Sequence, residues 1–281
     1  CFKSFDSHKV HLTLNGQHYP RIHTMPKPKL RALFLLLLMT PLLSWGVYPL
    51  GFQPQVTYAV GYSPRGIATG DFNRDGSVDL VVANTGDGTR PGNNVSVLLG
   101  KGDGTFASQV NYPAGPMPRE IVTADFNGDR WVDVAVTNYI DSGTVSVLLG
   151  LGDGTFAPQL TYAVGSHPTG ITTGDFNGDG KADLAGNWGS KVSVLLGLGN
   201  GNFAPQVTYA VVGSTGITTG DFNGDGKADL AVCGNSISVL RGRGDGTFST
   251  GVSLAVGSYP KGITTGDFNG DGKADLVVAG A

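Results

Sequence analysis

Five short stretches carry three aspartates and one asparagine at fixed spacing. The third reads Asp175-Phe176-Asn177-Gly178-Asp179-Gly180-Lys181-Ala182-Asp183. The same frame places Asp71, Asn73, Asp75, Ser77 and Asp79 in the first stretch, and Asp125, Asn127, Asp129, Trp131 and Asp133 in the second. It places Asp221, Asn223, Asp225, Lys227 and Asp229 in the fourth, and Asp267, Asn269, Asp271, Lys273 and Asp275 in the fifth. Oxygen side chains therefore stand at positions 1, 3, 5 and 9. Position 7 varies freely and would contribute its backbone carbonyl. A hard cation that takes six to eight oxygens, as Ca2+ does, is the chemistry this donor set suits.

The pattern is the front half of an EF-hand-like calcium loop. A lone copy would be equally well explained as a surface turn, since Asp, Asn and Gly are turn formers. Five copies that keep every oxygen position favour metal binding. Gly at position 6 permits the positive φ that closes such a loop. Arg130 replaces it in the second copy, so the Asp125–Asp133 site is expected to bind more weakly than the third or fourth. Up to five Ca2+ ions are the expected cofactors.

Composition supports this. The chain has 281 residues, 45 of them Gly, and only 15% are charged, which suggests many tight turns rather than disorder. The loops hold 15 of the 22 acidic residues, and Glu120 is the sole glutamate. From Ser44 onward 13 Lys and Arg face 21 acidic residues, a balance of −8 that five divalent cations would offset. No basic run suggests nucleic acid. Four of the five histidines precede residue 24, leaving His167 alone in the repeats, so little material exists for general acid–base catalysis and no catalytic residues are assigned. Cys1 and Cys233 support neither a disulfide framework nor a zinc site; Cys233, within Ala231-Val232-Cys233, reads as a small core residue.

The elements that must hold these loops recur with them. Intervals between first aspartates are 54, 50, 46 and 46 residues, a period typical of solenoids or propellers. Each unit holds four strand-like pieces. In the third these are Gly170–Gly174, Ala182–Ala185, Lys191–Leu196 and Phe203–Val211, with a tight turn at Gly197–Gly201. The implied class is all-β, with four-stranded antiparallel propeller blades.

The units resemble FG-GAP/VCBS repeats, the family of integrin-α-type β-propellers. The five Asp-x-Asn-x-Asp loops, the Val-Ser-Val-Leu-Leu-Gly strands (Val95–Gly100, Val145–Gly150, Val192–Gly197) and the Gly-Asp-Gly-Thr-Phe turns carry the likeness over residues 51–281. The resemblance implies a seven-bladed propeller with calcium in the first inter-strand loop of several blades. About five blades are present here. The integrin-type Gly-Ala-Pro after the second strand is absent.

Residues 1–24 read as an upstream extension. Residues 25–46, with Lys27, Lys29 and Arg31 before the apolar run from Ala32, read as a signal peptide or signal-anchor. Export to the periplasm, cell surface or medium follows. Phe52 to Val60 matches an orphan fourth strand. The chain is expected to be a fragment of a longer propeller, the alternative being an open five-blade ring.

Alternating connections place the calcium loops and the third-to-fourth turns on one face, and the variable loops on the other. The long loops Asn84–Asn94 and Thr137–Thr144 share that second face with Tyr62, Tyr139, His167, Trp188 and Tyr259. An exported calcium-stabilised module that binds or adheres to protein or glycan through this face is the first reading. The scaffold of a calcium-dependent polysaccharide lyase or hydrolase is the alternative. Arg243-Gly244-Asp245 matches an adhesive tripeptide, but its Gly-Asp is explained by the hairpin turn.

Overall fold

The computed structural model describes residues 55–87, 89–257 and 260–280. The extension, the leader and Tyr259 lie outside them. Every helix or strand among these residues is a β-strand. The first sheet contains β1 (Pro64–Gly70), β2 (Asp79–Gly86), β3 (Pro91–Leu98) and β4 (Val110–Pro113) in sequence order, all antiparallel. The second contains β5 (Pro118–Ala124), β6 (Asp133–Asn138), β7 (Thr144–Leu148) and β8 (Leu160–Ala163). The third contains β9 (Gly170–Gly174), β10 (Asp183–Trp188), β11 (Lys191–Leu195) and β12 (Val207–Ala210). The fourth contains β13 (Gly216–Gly220), β14 (Asp229–Cys233), β15 (Ile237–Gly242) and β16 (Phe248–Leu254). A fifth sheet pairs β17 (Gly262–Gly266) with β18 (Asp275–Ala279).

The first strands of successive sheets contact one another, β1 to β5 to β9 to β13 to β17, so they are the inner strands of β-propeller blades. The core lies between blades. In β6, Val134 and Val136 join the cluster shared with the first blade, while Ala135 joins the cluster shared with the third. Side chains of a strand alternate between faces, so a strand apolar on both faces packs against two neighbours at once. The buried run Val-Ala-Val is therefore one strand facing two interfaces.

Two strand and two loop expectations need correction. The described part of the orphan fourth strand, residues 55–60, forms no strand, and among the described residues no third strand stands beside it to complete a ladder. Tyr58 nevertheless packs edge-on against Phe106, as the fourth-strand tyrosines of later blades pack against the next turn phenylalanine. The fourth strand of the third blade starts at Val207 rather than Phe203; Phe203 keeps only an isolated bridge to Gly197, and Pro205 supplies no N–H to bridge the gap. The long loop Asn84–Asn94 is mostly ladder: Asn84 pairs with Asn94 and Gly86 with Pro91, leaving a tip around Asp87–Arg90. Likewise Asn138 pairs with Thr144, so the second long loop shrinks to its central residues. Cys233 is fully buried at the end of β14, as expected.

Candidate metal sites

Each aspartate loop joins the first and second strands of its blade. Its side chains are organised by the loop's own backbone. The position 1 carboxylate folds over the loop and accepts the N–H of position 6: Asp71 from Gly76 (3.0 Å), Asp125 from Arg130 (2.8 Å), Asp175 from Gly180 (2.9 Å). Asp221 and Asp267 do the same with Gly226 and Gly272. The asparagine at position 3 accepts the N–H of position 5, and the aspartate at position 5 accepts the N–H of position 7, in all five loops. These N–H donors hold Asp75, Asp221 and Asp267 below the usual carboxylate range, through Ser77, Gly226 and Gly272 respectively.

The closing geometry needs two left-handed residues. Position 6 has φ between 71° and 82°, including Arg130 at 71°. Arg130 therefore adopts the glycine conformation, at the steric cost that a Cβ carries there. Position 4 is also left-handed, a requirement the sequence reading missed. Gly128, Gly178, Gly224 and Gly270 occupy it, with Arg74 at φ 59° in the first loop. Those glycines each donate to Oδ1 of position 1 at 2.7 Å. In the first loop Asp71 Oδ1 is buried with no hydrogen-bond partner.

The ninth aspartate behaves differently. Asp79, Asp133, Asp183 and Asp229 are fully buried. In the first blade Asp79 Oδ2 accepts the N–H of Phe72 at 2.8 Å and Oδ1 that of Gly100 at 2.7 Å. Asp133 holds Phe126 and Gly150, Asp183 holds Phe176 and Gly197, and Asp229 holds Phe222 and Gly242 in the same way. Each pins the aspartate loop to the end of its own third strand. Burial raises all four carboxyls, that of Asp133 to about 6. Asp275 keeps only the Phe268 bond.

The loop also reaches the next blade. The carbonyl of Phe72, whose N–H is held by Asp79, accepts the N–H of Gly154 in the following turn at 2.9 Å. Phe126 with Gly201 and Phe176 with Gly246 repeat the bond. Beneath it lies an aromatic triad: Phe72 and Tyr112 both pack edge-on against Phe156, Phe126 and Tyr162 against Phe203, and Phe176 and Tyr209 against Phe248. A change in the loop is thus mechanically continuous with a blade interface. Position 7 side chains cover the turn glycine of their own blade, Trp131 over Gly152 and Lys181 over Gly199, where a Cβ would clash.

These residues fit a calcium ion in chemistry. All donors are oxygens, positions 1, 3 and 5 are held at alternate places in a closed loop, and Asp71 Oδ1 is a buried carboxylate oxygen with nothing to satisfy it. Among the described residues no three acidic, His or Cys side chains converge as a ready-made cluster. The ninth carboxylate, committed to two backbone N–H groups, leaves positions 1 and 5 with the position 3 amide between them.

On the opposite face, cations lie on aromatic rings. Arg90 stands 4.2 Å from the Tyr62 centroid and pairs with Asp87, Arg119 stands 4.2 Å from the Tyr139 centroid, and Lys191 stands 4.9 Å from that of Trp188. His167 packs on Tyr139, with Nδ1 2.9 Å from Ser166 Oγ and Nε2 3.5 Å from Asp141 Oδ1. The sequence offered no nucleophile–base pair, yet folding brings Ser166, His167 and Asp141 together. Asp141 is 95% exposed, so nothing shields the trio from water. The turn explanation of Arg243-Gly244-Asp245 holds: Asp245 Oδ1 accepts the N–H and hydroxyl of Thr247.

No curated protein matches the sequence. Solved structures share the fold. An Agrocybe aegerita lectin, described as specifically recognising non-reducing terminal N-acetylglucosamine, is 22% identical at a TM-score of 0.50, covering 75% of this chain and 59% of its own. A Bacteroides uniformis protein described provisionally as a 6-phosphogluconolactonase is 17% identical at 0.51, covering 71% and 59%. A Lactobacillus plantarum protein is 18% identical at 0.51, covering 75% and 60%. The chain therefore spans about 60% of the length of these structures. The model of the FG-GAP-like repeat matches four times, over residues 71–136, 125–186, 184–232 and 221–278, each match spanning an aspartate loop and the strand after it. The repeating blade, pinned by its ninth aspartate, is thus the FG-GAP unit, and this chain is a member of the FG-GAP-like repeat family.

Proposed function

We propose that this propeller is an exported calcium-binding module that engages glycan or protein through its loop face. The observation that carries the metal reading is the buried, unsatisfied Asp71 Oδ1 within a loop whose other oxygens are already oriented by backbone N–H groups. Positions 1, 3 and 5, the carbonyl of position 7 and the remaining lone pairs of position 9 would hold the ion. Calcium supplies charge neutralisation, while the chain closes the loop and transmits its order to the next blade through the Phe72–Gly154 type of bond. The role is structural: five loops look alike, whereas a catalytic site should be singular. Extracellular modules bind calcium at about 0.1–1 mM. At ten times Kd each site adds about 1.4 kcal/mol.

The binding role draws support from the cation–aromatic pairs of the loop face and from lectins being among proteins of this fold. The lyase or hydrolase scaffold is the alternative, which the Ser166–His167–Asp141 contact brings into view. A glycan array probed with calcium and with chelator separates the two. Calcium-dependent retention of glycans without turnover is expected. Calcium-dependent cleavage of an acidic glycan would contradict a pure binding role.

A further inference from the structure

We infer that the loop face of the first three blades takes a linear acidic polysaccharide, one whose sugar rings carry carboxylates. This deepens the binding role proposed above and rests on it. The three cation–aromatic pairs belong to one continuous strip. The N–H of Gly86, at the hairpin tip that carries Arg90, donates to the carbonyl of Tyr62. The same hairpin's Asn93 Oδ1 accepts the N–H of Met117, whose carbonyl accepts the N–H of Tyr139. The carbonyl of Ile140 accepts the N–H of His167, and Trp188 packs against Gly165 where a Cβ would lie 2.1 Å from its ring. Arg90, Arg119 and Lys191 thus succeed one another across three blades, each beside an aromatic ring.

Charge is segregated to match. The metal-loop ends of the strands carry 18 of the 21 acidic residues and eight of the 13 basic ones from residue 55 onward; the loop face carries three acidic and five basic. Asp87 is spent on Arg90, and burial raises the Glu120 carboxyl against the opposing charges of Arg119 and Arg65. Arg65, Arg119, Lys191 and Lys261 have no carboxylate within ion-pair distance among the described residues. Ser63, Met117 and His167 hold left-handed backbone at the equivalent bend of three successive connections, with Met117 42% exposed. Strain kept at an exposed position needs a reason other than packing. Cations that alternate with flat apolar rings suit a chain whose units alternate carboxylate and ring: guanidinium groups bind carboxylates in a fork, and ring faces cover apolar C–H surfaces. An acidic peptide would use the cations and leave the rings idle.

The test titrates the full chain in about 1 mM calcium with oligogalacturonates of increasing length, too short to gel. Chitotetraose, oligoglutamate and single-stranded DNA serve as comparisons. Saturable binding that strengthens with oligomer length and weakens with salt is expected, and it should fall about tenfold in Arg119→Gln and in Lys191→Gln, the cations of the strip that no carboxylate already holds. Both variants should melt as the parent does, and Arg241→Gln, at the other end of its blade, should bind normally. If chitotetraose binds as well as the acidic sugar and the Arg119 and Lys191 variants change nothing, the inference falls while a glycan-binding module stands. If oligoglutamate or DNA binds as tightly as oligogalacturonate, the face belongs to that ligand and the inference falls. If no saccharide binds while the array detects another partner, the inference falls alone; if neither assay detects a partner, the binding role falls with it.

Discussion

At the scale of single residues, the loop aspartates divide into two kinds that the shared pattern conceals. Positions 1 and 5 point to backbone donors within their own loop, whereas position 9 is buried and ties the loop to a distant strand end. Substitution should separate them. Asp183→Ala removes two bonds from buried N–H groups to a carboxylate, and a loss of about 2–4 kcal/mol is expected with or without calcium. Asp179→Ala should cost little in chelator and abolish only the increment that calcium adds at that site. Equal effects of the two in chelator, measured by urea denaturation, would contradict the division. The buried ninth aspartates also set a pH dependence for the metal-free protein. Asp133 rises from 3.8 to about 6 because burial disfavours its charge, so the folded state binds more protons than the unfolded one between those values. Stability of the metal-free form should therefore increase as pH falls from about 6 to about 4. Below the unfolded value of 3.8, the lowered carboxyls Asp75, Asp221 and Asp267 reverse the trend, since their contribution is lost as they protonate. Melting curves in chelator across this range check both limbs.

At the scale of elements, what could be read from the sequence was what repeats locally. The five loops, the strands beside them and the tight turns recur with the same residue types, and each type has a local cause. The missing pieces depend on partners far along the chain. Gly100 lies 21 residues from Asp79, and Tyr112, Phe72 and Phe156 come from two blades. Nothing in the local pattern distinguishes a phenylalanine that fills such a triad from one that merely follows an aspartate. Nothing in the residue type at position 4 marks it as left-handed in the first loop, where Arg74 holds φ 59°. The long loops follow from the number of residues between the ninth aspartate and the third strand, and a residue count does not reveal that the extra residues continue the ladder, with Asn84 and Asn94 paired and bonded to each other. The triads carry a prediction of their own. Phe176 is 1% exposed and touches Phe248 across the blade boundary, so Phe176→Ala should destabilise by about 3–5 kcal/mol. A cost below about 1 kcal/mol in the denaturation midpoint would show that the blades do not depend on this contact.

At the scale of the whole propeller, the two faces have opposite characters. One concentrates carboxylates, which repel one another, and the other presents cations on aromatic rings. Metal at the first face would brace the blades that present the second, through peptides such as Phe72 and Phe126 that bond both the ninth aspartate and the next turn. Five sites at ten times Kd would total about 7 kcal/mol, a large share of the about 5–15 kcal/mol of an ordinary domain. The most direct measurement is a calorimetric melt of the full chain in saturating calcium and again in excess chelator, at one pH and salt concentration. A rise of about 15–25 °C with calcium is expected for a cooperative unit of this size; identical transitions in the two conditions would contradict the assignment of the five loops as calcium sites.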